Sequence, residues 1–487
     1  MTDELKVSTA KDQTREQLDP RHVWAARRLW FKQRVYESRP LQSVYASWID
    51  LQARVALWRG QPYEASRKML RVWRHLGAEG VGRRRVDRLM RVVREHCYRE
   101  GRLLPAAENH LRLDFIRSAA ARELRKLYGS FPIEHRVRLR HPRPDPDPER
   151  QGDLIVLKPY DAETGERGVL MVMYSEGIGA LAAVYDLAAL ASRYTLVLET
   201  SGWGYQDVRF FLYLGSDLDV LVQSPRREDF DFVRRLDTNL VPVRVGSGEW
   251  VDPSIFQPRA AGKEPEFDLV MVASWDPLKR HELLFRALAE LKRERGRGLR
   301  FALIGYAMGW PRVRIEELLR RYGLESDCTI FEKIPHAEVA RVVADSKVSL
   351  LLSRQEGSNR SVYESMFCAT PVIIYRHHRG INLEHVNART GLPADDDELA
   401  GAIASVVDDP ARFDPRGWAL EHIGYENATK IINEALSEQA ARRGLPWTRD
   451  IVAKKNAPNL RYSEPGLYKR FAAEYERLQD FLLPLDD

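Results

Sequence analysis

Cysteine is scarce in this chain. Its 487 residues hold three, Cys97, Cys328 and Cys368, far apart and without Cys-x-x-Cys or Cys/His ligand spacing. That pattern excludes a disulfide framework and a structural zinc site, and it makes a reducing compartment the default. Long apolar runs are lacking as well. No stretch approaches the roughly 20 residues a spanning helix needs, and the nearest, residues 179–191, is interrupted by Asp186. The first twenty residues carry no apolar segment of the kind a secretory signal requires. A cytoplasmic protein is therefore expected, with peripheral attachment at the inner face of a membrane as the variant of that expectation.

What is present is the composition of a folded protein, 44% hydrophobic and 30% charged, at a length that calls for two or three domains. Charge is unevenly spread. Residues 1–150 hold 33 Lys+Arg against 19 Asp+Glu, a balance of +14, which leaves −8 for the rest of a chain whose net charge is +6. A basic module joined to a mildly acidic body points to an anionic partner for the first part.

Periodicity divides the chain further. Residues from about 20 to 130 repeat apolar positions every three or four residues, starting at Trp24, Ala25, Arg28, Leu29 and Trp30 and resuming at Trp48, Leu51, Val55 and Trp58, the mark of amphipathic helices. Asp19-Pro20 reads as a helix start, and Gly60 and Gly80 as breaks between helices. The stretch 48–77 resembles a single tetratricopeptide-type hairpin. Alternating prolines over 141–151 then read as an extended linker. Beyond it, short β-rich runs at 153–158, 168–175, 194–200 and 219–224 alternate with helix-length stretches, which predicts a parallel sheet with covering helices. A second series runs through 267–274, 299–305, 329–334, 348–353 and 371–375, and an amphipathic helix is expected over about 462–482. The domains expected are 1–140, a helical basic module; 141–151, the linker; 152–258 and 266–450, two Rossmann-like halves; and 451–487, a helical tail.

The most informative segment is Glu356-Gly-Ser-Asn-Arg-Ser-Val-Tyr-Glu364. It follows an apolar strand and enters a helix, so it belongs at the carboxyl end of a sheet, where open α/β sheets bind ligands. Backbone N–H groups near a helix start accept phosphate or sugar oxygens, and a carboxylate such as Glu364 accepts two neighbouring ribose hydroxyls. Two glutamates eight apart also occur by chance on solvated helix faces. The setting adds weight: a strand, Ser353, Glu356-Gly357, Glu364, then Cys368-Ala-Thr-Pro371. In these residues the chain resembles the GT-B glycosyltransferases of group 1, or family 4, whose signature is a Glu-x7-Glu pattern. That family commonly has Phe-Gly after Glu-Gly; here Ser358 and Asn359 stand instead, followed by Arg360 and Ser361. The likeness covers roughly residues 168–410. It includes the passage 241–258 and the segment 272–291, in which Lys279 falls on the family's diphosphate-binding lysine. Where the family has an arginine five residues earlier this chain has Ser274, and Arg280 is the substitute charge.

The resemblance implies an α/β fold of two Rossmann-like domains (GT-B), preceded here by an all-α basic helical module. It implies transfer of a sugar from a nucleotide-diphosphate sugar to a hydroxyl acceptor (a glycan, a lipid-linked glycan or a protein), with retention of configuration. Glu356, Lys279 and Arg280 are the candidate catalytic residues. Glu364, Gly357, Ser358, Asn359, Arg360, Ser361, Ser274, His336, Gly177 and Gly179 are the candidates for donor binding. A cationic pair answers the charge that builds on a departing diphosphate, although Lys279-Arg280 also reads as a solvated helix start. His336 suits stacking on a base, or equally a cap or surface role. Gly177 and Gly179 suit close approach to the diphosphate, or tight strand–helix packing. No histidine lies between His141 and His281, so the first half lacks a common choice of base for an inverting reaction. No Asp-x-Asp pair ends a strand-like run, so no metal and no cofactor beyond the nucleotide sugar as co-substrate are expected.

Arg83, Arg84, Arg85, Arg88, Arg91 and Arg94 form a basic helix face in the first module. It reads as solvated surface, or as a contact for anionic lipid, a protein partner or an anionic acceptor. Nucleic acid is disfavoured because no motif for it accompanies the charge. Two other readings stay open: a different GT-B enzyme such as a sugar phosphorylase or nucleotide-sugar epimerase, and a degenerate transferase acting as a scaffold.

Overall fold

The computed structural model describes residues 38–76, 83–129, 154–200, 208–357, 359–456 and 460–484. The helix start at Asp19-Pro20, the apolar positions from Trp24 to Trp30, Gly80 and the proline linker lie outside them, as do the side chains of Arg83, Arg84 and Arg85.

The described part of the first module is helical. Helices α1 (Arg39–Trp58) and α2 (Pro62–Leu76) form a hairpin about Gly60, which takes φ +68°. Small residues let the two axes approach: Ala46, Ala53 and Ala56 of α1 are buried with Ile49. Helix α3 (Arg83–Cys97) adds Leu89, Val92 and Val93 to the same interior. Helices α4 (His110–Arg117) and α5 (Ala119–Gly129) follow. Asn109 caps α4 by accepting from the N–H groups of Leu111 and Arg112, while its own amide donates to the carbonyls of Phe211 and Leu214 at 2.6 and 3.2 Å. Buried Arg112 donates to the carbonyl of Tyr185 at 2.9 Å. The module thus shares one apolar core with the sheet that follows.

That first sheet has five strands in spatial order β1 (Leu154–Lys158), β2 (Gly168–Met173), β3 (Tyr194–Glu199), β4 (Val220–Gln223) and β5 (Leu240–Val243). Strands β2 to β4 are parallel, as expected, and β5, which the sequence did not mark as a strand, continues them in parallel; β1 runs antiparallel to β2. The intervening loop is too short for a crossover helix, which requires a dozen or so residues. Helices α6 (Tyr174–Val184), α7 (Leu187–Ala191) and α8 (Arg227–Arg235) lie in the connections.

Edge strand β1 is closed by the end of the chain. Val156 N–H donates to the Tyr475 hydroxyl, the Tyr462 hydroxyl donates to the Val156 carbonyl, and Val452 N–H donates to that of Leu157, at 3.1, 2.7 and 2.8 Å. Covering an edge in this way removes a template for aggregation. The single helix expected over 462–482 is instead broken into short turns, with Gly466 at φ +83° opening the first. The break lets Tyr475 and Phe481 reach different parts of the first core. Residues 425–450, expected with the second half, behave likewise: the later helix Tyr425–Arg442 buries Ala428, Ile432 and Leu436 in the first core.

The second sheet has six parallel strands: β6 (Leu269–Val272), β7 (Phe301–Gly305), β8 (Cys328–Glu332), β9 (Ser349–Leu351), β10 (Val372–Tyr375) and β11 (Gly391–Ala394). Their order is β8-β7-β6-β9-β10-β11. The direction of winding reverses between β6 and β9, so helices cover both faces and a crevice opens at the carboxyl ends of those two strands. Helices α9 (His281–Arg295), α10 (Arg312–Tyr322), α11 (His336–Ala344), α12 (Ser361–Phe367), α13 (Leu399–Asp408) and α14 (Pro415–His422) belong to this unit. The two-domain α/β class with a helical front module is therefore what forms. Among the described residues no helix is long and apolar enough to cross a membrane.

Candidate functional site

The two strands flanking the reversal deliver two side chains to one place. After β6 the chain turns at buried Asp276, whose carboxylate accepts from Leu278 N–H and from the Ser274 hydroxyl, both at 2.8 Å. That turn ends at Lys279. After β9, Ser353 and Glu356 leave the sheet. Lys279 Nζ donates to both carboxylate oxygens of Glu356, at 2.7 and 2.6 Å, and the Ser353 hydroxyl donates to one of them. The pair is nearly closed to solvent, with side chains 19% and 11% exposed, so its attraction is little screened.

Arg280 takes a left-handed conformation, φ +62°, and its side chain goes elsewhere. It donates to the Leu352 carbonyl at 3.1 Å, pairs with Asp396, and stacks 5.3 Å from the Tyr375 ring. The charge expected to supplement Lys279 is occupied beneath the strand end. Ser274, at the position of the resemblance's missing arginine, orients Asp276.

A second segment clamps the Glu356 loop. Glu356 N–H donates to the Arg379 carbonyl and Arg379 N–H to that of Arg354, at 2.9 and 3.0 Å. Gly380 sits so close that an added Cβ would lie 2.5 Å from the Glu356 carbonyl oxygen, and its φ of +122° excludes other residues independently. Buried His378 places Nδ1 2.7 Å from the Ser353 carbonyl. Burial pushes its pKa down to about 4, so the ring is neutral and donates through Nδ1; its Nε2 has no partner among the described residues. His281, at the start of α9, is pushed down to about 3 by burial.

Glu364 lies on α12. It is 8% exposed, and its carboxylate has no hydrogen bond or ion pair among the described residues. Burial raises its pKa above the usual carboxylate range, with the Arg360 charge opposing the shift. An ionised carboxylate only accepts hydrogen bonds, and this one meets no donor among the described residues. Two of the residues between the glutamates hold the start of α12 in place. Asn359 caps α12, accepting from Val362 N–H and the Ser361 hydroxyl at 3.1 and 3.0 Å. Arg360 donates to the Asn456 carbonyl, tying α12 to the C-terminal segment. Ser358 lies outside the described residues, and Gly357 is partly exposed beside it. Across the crevice, a Cβ on Gly248 would stand 2.5 Å from the Asn359 carbonyl oxygen.

The remaining candidates lie on other elements. His336 opens α11 and is exposed. Gly177 and Gly179 lie inside α6 and form no loop; the left-handed residue at that strand–helix junction is Tyr174, φ +59°. A Cβ on Gly179 would meet the Arg209 side chain at 3.3 Å, which fits the close-packing reading. Asp276, His378 and Asp396 were not singled out by sequence. The adjacent His377-His378 pair was the one local sign. A buried polar knot at the carboxyl ends of β3 and β4 was missed as well. Glu199 accepts from Lys454 Nζ at 2.7 Å and from the Asn456 amide at 3.0 Å, with Gln223 beside them. Lys454 also lies 4.1 Å from the Trp250 ring centre.

A family comparison falls on this unit. Residues 254–427 match the family model described as Glycosyl transferases group 1, a span that contains Lys279, Glu356 and Glu364. The MMP alpha-(1->4)-mannosyltransferase of Mycolicibacterium hassiacum is 29% identical over 166 residues, which cover 33% of this chain and 38% of that protein. The chain thus spans well under half the length of this curated relative. Sucrose-phosphate synthase from Thermosynechococcus elongatus is similar at TM-score 0.44 and 19% identity, over 56% of this chain and 74% of that one. HepE of Anabaena, solved with UDP, is similar at 0.43 and 16%, over 55% and 78%.

Proposed function

We propose that this chain transfers a hexosyl group from a nucleotide-diphosphate sugar to a hydroxyl acceptor, with retention and without a metal ion. The observation that carries the reading is the meeting of Lys279 and Glu356 from the two strand ends flanking the reversal, with Glu364 buried on the helix that follows and without a partner among the described residues. The match of residues 254–427 to group 1 glycosyl transferases supports it.

In this reading Glu364 accepts the two ribose hydroxyls of the donor. Lys279 exchanges its contact with Glu356 for the diphosphate, and so does the work a divalent cation performs elsewhere. Glu356, released, positions the sugar and stabilises the charge that develops at its anomeric carbon. The bond from that carbon to the diphosphate breaks as the acceptor oxygen bonds to it on the same face. The acceptor proton passes to a diphosphate oxygen, which requires no protein base. The site sits on the cytoplasmic side of the cell, and the basic α3 face offers an anionic membrane surface or a protein partner a place to hold.

The test is a thermal-shift panel of uridine, guanosine and adenosine diphosphates, followed by nucleoside-diphosphate release from the matching sugars. One diphosphate should stabilise the fold, by mass action, and its sugar nucleotide should be turned over by wild type and not by Lys279→Ala. If no diphosphate shifts the melting temperature and no sugar nucleotide is cleaved, the reading fails.

A further inference from the structure

Helix α1 is apolar on two opposite faces, and among the described residues only one of them is covered. Ala46, Ile49, Ala53 and Ala56 are buried. On the other side Leu41, Val44, Trp48, Leu51, Val55 and Trp58 are 47%, 69%, 57%, 53%, 38% and 85% exposed. Scattered exposed hydrophobics are ordinary; an unbroken row of six along a 20-residue helix is not. The steps between them are 3, 4, 3, 4 and 3, the a/d seam of a coiled coil over nearly three heptads.

We propose that this row is the seam of an antiparallel dimer formed with a second copy of the chain. The row is complementary to its own reverse. Laid antiparallel about its midpoint, Trp58 meets Leu41 of the other copy, Val55 meets Val44, and Trp48 meets Leu51. Each indole therefore faces a leucine, and the two valines face each other. The flanks agree: Tyr45 and Gln52 line one edge of the seam and Ser47 and Arg54 the other, so no like charges meet. A parallel pairing would bring Arg54 against Arg59 of the other copy on both edges, which is destabilising. The exposed area is sufficient. The six side chains offer roughly 700 Å² per copy, about 1,400 Å² for the pair, within the roughly 1,200–2,000 Å² that stable complexes bury. The contact is isologous and closes on itself, as a two-fold dimer must.

The experiment is sedimentation equilibrium of the full chain at micromolar concentration, with Trp48→Glu/Leu51→Glu as the variant. Both residues are exposed, so the variant should keep the wild-type circular dichroism and melt at a temperature independent of its concentration, while its dimer dissociation constant rises at least ~100-fold. Mild oxidation reads the orientation. Val44→Cys and Val55→Cys chains should give a disulfide-linked dimer when mixed and not when either is alone. A wild-type chain that is monomeric throughout overturns the proposal, as does equal linking by Val44→Cys alone, which denotes a parallel seam. So does a monomer that binds phosphatidylserine vesicles through the same row and loses binding in the double glutamate variant, which assigns the face to a membrane.

Discussion

Replacing Glu364 by glutamine separates what this residue costs the empty protein from what it contributes with ligand bound. The carboxylate is 8% exposed, has no donor among the described residues, and has its pKa raised by burial. A buried charged group left unsatisfied costs roughly 1–3 kcal/mol, and the neutral isostere removes most of that. Glu364→Gln should therefore stabilise the unliganded protein by about 1–2 kcal/mol at pH 7.5, a rise of ~2–8 °C in melting temperature. The pH dependence follows from the direction of the shift. With the folded pKa above the unfolded value near 4.5, the unfolded chain releases its proton first as pH rises. The penalty grows from that pH upward, so the variant's advantage should disappear in acid. The opposite effect is expected with nucleoside diphosphate. Two ribose hydroxyls donating to a carboxylate contribute on the order of 2 kcal/mol more than to an amide, about 30-fold in affinity. At a ligand concentration 100 times the wild-type dissociation constant, wild type gains about 2.7 kcal/mol and the variant under 1 kcal/mol. Differential scanning fluorimetry with and without the preferred diphosphate, supported by urea unfolding, measures both. A variant that is less stable when empty, or that keeps the full ligand-induced shift, refutes the assignment.

Lys279→Met strands the Glu356 carboxylate and should cost ~3 kcal/mol in urea unfolding, with much of that recovered in Lys279→Met/Glu356→Gln while diphosphate release stays lost. Lys454→Met, which breaks the fully buried pair with Glu199, should cost about 3–5 kcal/mol, and Lys454→Met/Glu199→Gln should restore most of it because no lone charge remains. His281 and His378 have pKa values pushed down to about 3 and about 4. The unfolded chain therefore takes up protons first, and stability should fall as pH drops below about 6.5, by up to ~1.4 kcal/mol per unit for each histidine. Urea titrations between pH 7.5 and 5.0 measure the slope, which should be shallower in His281→Phe.

Much of this was written locally. The change from a three-to-four residue period to short β-rich runs marks the passage from helices to sheets, because side-chain alternation is set by backbone geometry over a few residues. The strand runs at 153–158, 168–175, 194–200 and 219–224 appear where expected, as do the five of the second series. So does the delivery of Lys279 and Glu356 to strand ends. What those side chains touch was not legible. Arg280 looked like Lys279's companion, yet Asp396 holds it, 116 positions away along the chain. Asn359 and Arg360 looked like pocket residues, yet one caps a helix and the other reaches Asn456.

By itself the sequence determined the class of the fold and the charged groups, Lys279 and Glu356, that stand at strand ends. Those follow from local periodicity; strand order, and with it the place where winding reverses, came from the tertiary structure. Only the tertiary structure decided that the C-terminal segment closes the open edge of β1, that Lys454 is a buried ion-pair partner, and that Glu364 has none among the described residues. In sequence, Lys454-Lys455 reads as solvated charge, and nothing near it specifies a glutamate 255 residues earlier. Pairings at that distance depend on which surfaces meet when the whole chain packs, and burial then decides whether a charge is paired, neutralised or left waiting for a ligand.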